Sequence, residues 1–367
     1  MRTNPLLIIQ NLGQSIWLDY IQRALLISGE FQRLIDKDGV CGVTSNPSIL
    51  EKAIVEHDDY DSAIKMMQGV DVNALYEYLA IEDLQQAADL LRLLYEKTEG
   101  RDGFVSFEVS PLLAYDTKAT VQEASRLWQA LNRPNALIKV PATPEGVIAI
   151  QQLIVNGINV NATLLFSLQR YQEVAQAYLD GLEIRVAQGK SLSCMASVAS
   201  FFLSRIDKLV DSKLDALVTK STQQQIKELR GETAIASARL AYQKYKRFYS
   251  GERWQRLATA GARPQRLLWA STSAKDPAYS NTKYVDALIG VDTINTLPLD
   301  LLTTYRNYGD PAVRLENNIE AACKSLARLT DFGLDLNAIA EQLEKEGVQK
   351  FSSAYNILLE NLRQRIS

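Results

Sequence analysis

The chain has 367 residues, of which 47% are hydrophobic and 23% charged, and its formal net charge is -3. This is the composition of a globular protein that can bury a large core, in one large domain or two ordinary ones. Because the 40 basic residues are dispersed among the 43 acidic ones and form no basic stripe, nucleic acid is not expected as a main partner.

The sequence shows neither a membrane span nor a secretory signal. No stretch is apolar for long enough to cross a membrane, and Met1–Pro5 does not begin a signal peptide. Cys41, Cys194 and Cys323 are widely separated, and two of them lie in apolar runs, so we expect buried, reduced thiols in a cytoplasmic protein. The only histidine, His57, lies in an acidic segment and is expected on a solvated face, which argues against a Ser-His-Asp relay or a histidine-rich metal site.

Short segments rich in apolar and β-branched residues recur along the chain, each followed by a helix-length stretch or a longer insertion. Since parallel strands need long crossovers that are usually helical, this alternation predicts a parallel sheet. Eight such units in one chain predict a closed (β/α)8 barrel, a TIM barrel of the α/β class. The predicted strands are Ser15–Asp19, Val40–Thr44, Phe104–Val109, Ala136–Val140, Asn159–Leu164, Leu192–Val198, Arg266–Ser271 and Thr293–Leu297.

Two helical insertions and a helical tail complete the predicted organisation. The insertions follow the second strand, over residues 47–100, and the sixth strand, over about 211–261. Neither is flanked by a Pro-, Gly- or Ser-rich linker, so residues 1–367 are predicted to form a single domain. The tail, about 335–366, is predicted to form two helices separated by Gly347.

Polar residues gather where the predicted strands end. In a barrel of this kind the active site lies at the C-terminal ends of the strands, so these side chains are candidates for function. They are Asp19, Thr44, Ser45, Asn46, Glu108, Lys139, Asn161, Thr163, Ser197, Ser200, Ser271 and Ser273.

Lys139 is the most informative of these residues, because it interrupts the apolar run Ala136–Pro141. Alternation along the strand places it opposite Ile138 and Val140, which would pack against helices, so Lys139 points into the barrel. Loss of hydration there disfavours the ammonium form and favours a neutral amine that can attack a carbonyl. A permanent ion pair with Glu108 or Asp19 is the structural alternative, and spacing alone leaves both open.

Two carboxylates and one arginine extend this hypothesis. Schiff-base chemistry needs a proton shuttle other than the lysine, and Asp19 is the better base candidate, while Glu108 with Thr163 could hold a water molecule. An inert salt bridge or a helix cap is the alternative for each carboxylate. Arg205 near a helix N-terminus, with donors from Ser271–Lys275, could bind phosphate, although an arginine in a helical run is usually on the surface.

Several stretches resemble the transaldolase family. Gly42–Ser48, Leu137–Thr143 and Gly157–Phe166 are similar to three signature stretches of that family. The helical insertion and Leu267–Ser273 resemble its longer bacterial branch, and the likeness extends in order from about Ser15 to the end of the chain.

The resemblance implies a class I aldolase-type barrel that uses neither a metal nor an organic cofactor. It implies that Lys139 carries the imine, that Asp19 is the acid/base, and that Glu108 with Thr163 positions the catalytic water. The implied ligands of the sugar hydroxyls are Thr44, Asn46, Asn161 and Ser200, and those of the phosphate are Arg205, Ser271 and Lys275.

Phe202 bears on the type of reaction, and Ser273 is a departure from the family pattern that concerns phosphate binding. Related fructose-6-phosphate aldolases have a tyrosine where this chain has Phe202, and the transferases have phenylalanine. Other branches place an arginine where this chain has Ser273, so Lys275 is expected to supply the second charge for phosphate.

The resemblance therefore implies a transaldolase of the pentose phosphate pathway, working on small sugar phosphates without a membrane or nucleic-acid partner, as a monomer or homodimer. It would move a dihydroxyacetone unit from sedoheptulose 7-phosphate or fructose 6-phosphate to glyceraldehyde 3-phosphate or erythrose 4-phosphate. One alternative is a fructose-6-phosphate aldolase that releases dihydroxyacetone. Another is a non-catalytic, sugar-phosphate-binding barrel, which the joint presence of Lys139, Asp19 and Glu108 disfavours.

Overall fold

A computed structural model describes residues 4–366 as a closed barrel of parallel strands surrounded by helices. The predicted (β/α)8 architecture is thus confirmed. Strands follow one another around the barrel in chain order, and β8 closes on β1. All strand residues are buried, because helices cover the outside and side chains fill the inside. The strands are β1 Gln14–Leu18, β2 Val40–Thr44, β3 Phe104–Glu108, β4 Ala136–Pro141, β5 Val160–Leu165, β6 Ser197–Phe202, β7 Arg266–Ala270 and β8 Thr293–Leu297.

The helices connect and cover these strands. Those before β3 are α1 Pro5–Asn11, α2 Arg23–Ile27, α3 Glu30–Asp38, α4 Pro47–Val55, α5 Asp61–Met66, α6 Val72–Leu90 and α7 Arg92–Lys97. Between β3 and β7 lie α8 Thr117–Leu131, α9 Pro144–Asn156, α10 Leu168–Ala187, α11 Ser204–Asp215, α12 Gln223–Leu229, α13 Thr233–Phe248 and α14 Glu252–Thr259. The last four are α15 Lys283–Ala287, α16 Leu299–Tyr308, α17 Ile319–Arg328 and α18 Leu336–Ile366.

The prediction of the sixth strand, Leu192–Val198, is wrong in its position. Leu192 accepts a backbone hydrogen bond from Met195 in a turn, and the strand begins only at Ser197. The alternating apolar residues of this turn resemble a strand, but pairing with β7 extends to Phe202. Ser200 and Phe202 therefore belong to β6, on the same face of the strand.

The predicted break of the C-terminal helix at Gly347 is also wrong, because α18 continues through this residue. Glycine costs a helix about 1 kcal/mol relative to alanine, but here it allows a close approach to the barrel. A Cβ atom at Gly347 would lie 3.0 Å from Leu164 Cδ2 and 3.6 Å from Arg205 Nη1. The helix therefore crosses the barrel at its C-terminal end, above β5.

The remaining expectations concern the exposure of the cysteines and of His57, and membrane and signal segments. Cys41 is buried as predicted, but Cys194 and Cys323 are exposed; Cys194 lies in the turn that precedes β6 rather than in a strand. His57 is exposed, as predicted. No helix within residues 4–366 is both long and apolar enough to span a membrane. Met1–Thr3, part of the segment considered for a signal peptide, lie outside the described residues.

Candidate active site

A cavity of about 120 Å³ opens at the C-terminal ends of the strands. It brings together residues from β2, β4, β5, β6, the loops after β1 and β7, and the helices α11 and α18. The predicted site residues that line it are Asp19, Thr44, Asn46, Lys139, Thr163, Ser200, Phe202, Arg205, Ser271 and Lys275. Glu108 and Asn161 do not line the cavity themselves, but each contacts a residue that does.

Strand register explains the position of Lys139. Glu108 of β3, Lys139 of β4 and Asn161 of β5 are partners in register, and in-register residues of neighbouring strands point to the same side of a sheet. All three therefore point into the barrel, as the alternation of β4 predicted for Lys139. The lysine is only 4% exposed; its Nζ lies 3.2 Å from Glu108 Oε2 and donates a hydrogen bond of 3.0 Å to the carbonyl oxygen of Ser45.

The carboxylate of Glu108 is buried but poorly satisfied. Its contact with Lys139 lacks hydrogen-bond geometry, and neither of its oxygens has a hydrogen-bond partner in the described part of the chain. Burial raises the pKa of Glu108, and the charge of Lys139 opposes this shift. The hydroxyl of Thr163 is likewise buried without a partner. Buried polar oxygens are normally hydrogen-bonded, and a bound water molecule or substrate would supply the missing partners of these two residues.

Asp19 follows the last residue of β1 and faces the same cavity. Its carboxylate accepts a 2.7 Å hydrogen bond from Thr44 Oγ1, and the Thr44 hydroxyl also lies 2.7 Å from that of Thr296. Burial raises the pKa of Asp19, while the charge of Lys139 and then the Thr44 hydrogen bond oppose the shift. A carboxyl group with a raised pKa is suited to exchanging protons with a bound molecule.

Amide groups are oriented on two sides of the cavity. The side chain of Asn161 donates to Ser106 Oγ at 3.1 Å and accepts from Ser200 Oγ at 2.7 Å. Asn46 is the N-cap of α4, where its side-chain oxygen accepts from the backbone N–H of Ile49 at 3.1 Å. The cap occupies the amide oxygen and leaves the NH₂ group to donate to a ligand.

Arg205 lies in the first turn of α11, between two aromatic rings. Its guanidinium carbon is 5.2 Å from the ring centre of Phe202 and 5.7 Å from that of Phe351. Burial lowers the pKa of Arg205, and the charges of Glu108 and Asp19 oppose that effect. Burial, followed by the nearby cations Arg205 and Lys275, also lowers the pKa of Lys350 on α18. The cavity mouth is therefore rich in positive charge and suited to an anion.

Ser271 extends this anion site from the other side. It follows β7 with a φ of 55°, a left-handed conformation that serine rarely adopts and that is often found at functional sites. Its hydroxyl lies 2.9 Å from that of Ser204, the first residue of α11. Ser273 and Lys275 from the same loop also line the cavity, so the loop that was expected to supply the second phosphate contact does reach it.

Sequence reasoning missed some cavity residues. Phe351, Thr296 and Pro298 were not among the residues predicted for the site, yet all three line the cavity. The available signal was Gly347: a glycine inside an amphipathic helix indicates a close contact with another element. No group of three or more His, Cys, Asp or Glu side chains in residues 4–366 could hold a metal ion.

The chain is similar to known proteins over nearly its whole length. The sequence model of the family described as Transaldolase/Fructose-6-phosphate aldolase matches residues 16–362. A transaldolase of Thiobacillus denitrificans is 47% identical over 353 residues, which cover 96% of this chain and 97% of that protein. Transaldolase 2 of Nostoc sp. is 44% identical over 375 residues, covering 100% and 98%. A transaldolase of Thermobifida fusca is 43% identical over 367 residues, covering 99% of both.

Proposed function

Because the chain belongs to the transaldolase/fructose-6-phosphate aldolase family, we propose that it transfers dihydroxyacetone units between sugar phosphates through a Schiff base on Lys139. Its full-length relatives are transaldolases, and the chain is an enzyme of the transferase class. The observation that carries the proposed mechanism is a buried amine at the mouth of the barrel, 3.2 Å from one carboxylate and in the same cavity as a second.

The first steps form the imine and break a carbon–carbon bond. Lys139 passes its ammonium proton to a neighbouring carboxylate, and its amine adds to the C2 carbonyl of a ketose phosphate. That proton then goes to the C2 oxygen, which leaves as water and gives an iminium ion. Asp19 then takes the proton of the C4 hydroxyl group, the C3–C4 bond breaks, and an aldose phosphate leaves. The bonding electrons move to the iminium nitrogen, so a dihydroxyacetone enamine remains on the lysine.

The second half of the reaction reverses these steps with another aldehyde. The enamine carbon attacks the carbonyl of the acceptor, Asp19 returns a proton to the new hydroxyl group, and water hydrolyses the resulting iminium ion. Glu108 and Thr163 are suited to hold that water, because their buried oxygens lack hydrogen-bond partners. Donors would be sedoheptulose 7-phosphate or fructose 6-phosphate, and acceptors glyceraldehyde 3-phosphate or erythrose 4-phosphate, as in the pentose phosphate pathway.

The remaining cavity residues would hold the sugar in place. Donors and acceptors for the sugar hydroxyl groups are Thr44, Asn46, Asn161 and Ser200. Arg205, Ser271 and Lys275 would bind the phosphate at the positive mouth of the cavity. Fixing both ends of the substrate places its C2 carbonyl against the amine, and such positioning lowers the barrier.

Transfer is favoured over aldolase activity by Phe202. This residue lines the cavity beside Arg205, and its ring offers no hydroxyl group to activate a water molecule. A barrel that only binds sugar phosphates is disfavoured by the joint presence of Lys139, Asp19 and Glu108 at one cavity, since binding alone does not need an amine beside two carboxyl groups.

We also propose that the enzyme works in the cytoplasm as a single domain of residues 1–367, as a monomer or homodimer. Cys41, Cys194 and Cys323 are all unpaired, which suits a reducing compartment. The packing of α18 against α4, α6 and β5 supports one domain, because it joins the C-terminal tail to the barrel.

An acceptor-dependence assay tests the proposal. Fructose 6-phosphate is supplied with and without erythrose 4-phosphate, and sedoheptulose 7-phosphate and free dihydroxyacetone are both measured. We expect rapid formation of sedoheptulose 7-phosphate only when the acceptor is present. Equal consumption of fructose 6-phosphate without an acceptor, with release of dihydroxyacetone, would identify an aldolase instead.

A further inference from the structure

The C-terminal helix supplies an apolar cover to the reactive amine. Phe351 of α18 is 2% exposed and lines the cavity. Its ring centre lies 5.7 Å from Lys139 Nζ and 5.7 Å from the guanidinium carbon of Arg205. One ring from the far end of the chain therefore contacts both the amine that would carry the intermediate and the arginine that would bind phosphate.

The backbone of α18 is shaped to bring this ring down to the amine. Gly347, one turn before Phe351, has no side chain between the helix and Leu164 of β5. A Cβ atom at that position would lie 3.0 Å from the Leu164 side chain. A side chain at 347 would crowd Leu164 at the point where α18 approaches the barrel most closely.

Packing outside the cavity then fixes the ring. One turn after Phe351, Tyr355 makes an edge-to-face contact with Tyr76 of α6 at 5.4 Å. Tyr76 in turn lies 6.3 Å from Phe107 of β3, next to Glu108 in the chain. These aromatic contacts join α18 to the strand that carries the catalytic carboxylate, so Phe351 is held by a packed layer and not by a loop.

The position of Phe351 matters most for the covalent enamine that the proposed mechanism requires. In the absence of an acceptor, a proton from solvent can add to the nucleophilic carbon of the enamine and give an iminium ion. Water then adds to its C2 atom, the C–N bond breaks, and the products are free dihydroxyacetone and the lysine amine. The net reaction consumes one water molecule and releases the three-carbon unit without transferring it.

Resting on the proposed Schiff-base transfer, we infer that Phe351 is a specificity-determining residue that keeps bulk solvent from the enamine on Lys139. The ring occupies space next to the nitrogen that solvent would otherwise fill, so the aldehyde acceptor meets the enamine before a proton does. Water held at a defined place by polar groups still hydrolyses the final iminium ion. Transfer is thus favoured over hydrolytic release of dihydroxyacetone by an apolar residue from α18, in addition to Phe202.

The test compares two outcomes for the enamine, release as dihydroxyacetone and transfer to an acceptor, in variants of this helix. For each variant, the rate of dihydroxyacetone release from fructose 6-phosphate alone is divided by the rate of transfer to erythrose 4-phosphate. We expect Phe351→Ala to raise this ratio about tenfold, because the cavity it opens admits solvent, and Phe351→Leu to raise it less. Dihydroxyacetone released in D₂O should carry deuterium on the carbon that was the enamine nucleophile.

A matched control lies about three turns away on the same helix. Leu362→Ala removes a buried side chain from α18 outside the cavity and leaves the Tyr355–Tyr76 contact intact, so it should leave the ratio unchanged. If Phe351→Ala does not fold, Phe351→Leu decides the question, since it keeps most of the buried volume. An unchanged ratio in the folded Phe351 variants would overturn the inference. Absence of acceptor-dependent transfer in the unaltered enzyme would instead overturn the proposed function.

Discussion

The amine of Lys139 lies 3.2 Å from the carboxylate of Glu108, and the register of β3 and β4 places these two residues side by side inside the barrel. Neither oxygen of Glu108 has a hydrogen-bond partner among the described residues. An ion pair that serves stability normally has further hydrogen bonds that offset the cost of its burial. The incomplete pairing favours a role in chemistry over a role in stability.

A second buried ion pair in the same barrel has the further hydrogen bonds that the first pair lacks. Arg266, the first residue of β7, lies 2.9 Å from Asp102, which precedes β3. Asp102 also accepts hydrogen bonds from Ser15 Oγ at 2.7 Å and from Trp17 Nε1 at 3.1 Å. This well-satisfied pair lies at the N-terminal end of the strands, where barrels place residues that serve stability.

Replacing Glu108 tests the functional assignment of the first pair. Glu108→Gln keeps the shape of the side chain but removes the charge that assists proton transfer, so we expect the transfer rate to fall about 10²- to 10⁴-fold with the fold intact. The control is Glu344→Gln, since Glu344 is 8% exposed and pairs with Arg170 at 3.1 Å outside the cavity. Full activity in Glu108→Gln would identify an inert ion pair.

Replacing Asp102 should lower the stability of the protein and leave substrate binding unchanged. Asp102→Asn leaves the buried guanidinium of Arg266 without its counter-charge, so we expect a loss of about 3–5 kcal/mol in the free energy of unfolding. The KM of the folded protein should not change, because the pair lies at the other end of the barrel from the cavity. Urea unfolding and KM for fructose 6-phosphate measure the two quantities. A stable variant with a raised KM would contradict the structural assignment.

The raised pKa of Asp19 predicts a gain of stability on mutation. A carboxyl group whose pKa is higher in the folded state than the ordinary 3.8 binds its proton more tightly when folded, so its ionised form weakens the fold as pH rises through the folded pKa. Asp19→Asn should therefore raise the Tm at pH 7 and abolish transfer, with the gain in Tm disappearing below the ordinary pKa.

Asp71 provides a control, because its pKa is shifted in the opposite direction. This exposed N-cap of α6 has a pKa lowered by hydrogen bonds from the side chain of Asn73 and the backbone of Ala74, so its ionised form stabilises the helix above the ordinary pKa. Asp71→Asn should not raise the Tm at pH 7. Thermal unfolding of both variants at pH 3 and pH 7 distinguishes them; equal changes at the two positions would contradict the burial of Asp19.

Arg205 is expected to act on the phosphate. Arg205→Ala should raise KM for fructose 6-phosphate about 10- to 100-fold, the equivalent of one lost charge-assisted hydrogen-bonding partner, with a smaller effect on kcat. Arg205→Lys keeps the charge but loses the planar guanidinium group that lies near the rings of Phe202 and Phe351, so it should recover only part of the affinity.

The substrate itself supplies a further control for this prediction. Unphosphorylated fructose lacks the group that Arg205 would bind, so its weak turnover should change little in Arg205→Ala. Arg185→Ala, which alters an arginine bonded to the backbone carbonyl of Val155 outside the cavity, should leave KM unchanged. Equal losses with fructose and fructose 6-phosphate would assign Arg205 to the fold.

Local sequence patterns predicted most of the barrel and the position of its lysine. Lys139 was predictable because a charged residue in an apolar strand has one face available to it, and alternation identifies that face. The sixth strand was misplaced because the turn Leu192–Met195 alternates like a strand, and only pairing with β7 locates the true one. Strand pairing joins residues that are distant in the chain, so a local pattern does not reveal it.

The position of α18 over the site could not be predicted from the sequence for a similar reason. Amphipathic spacing shows that Phe351 faces an apolar surface but not which surface, and the ring meets Lys139 from the opposite end of the chain. Gly347 was interpreted as a helix break because glycine disfavours helices, whereas α18 is continuous there and the missing side chain leaves room for Leu164.

Trapping the covalent intermediate tests the central claim most directly. The protein is incubated with fructose 6-phosphate, reduced with borohydride, digested, and analysed by mass spectrometry. We predict a reduced dihydroxyacetone adduct on Lys139, and neither adduct nor activity in Lys139→Ala, whose circular dichroism should match that of the parent. An adduct on another lysine, or transfer that persists in Lys139→Ala, would contradict the account.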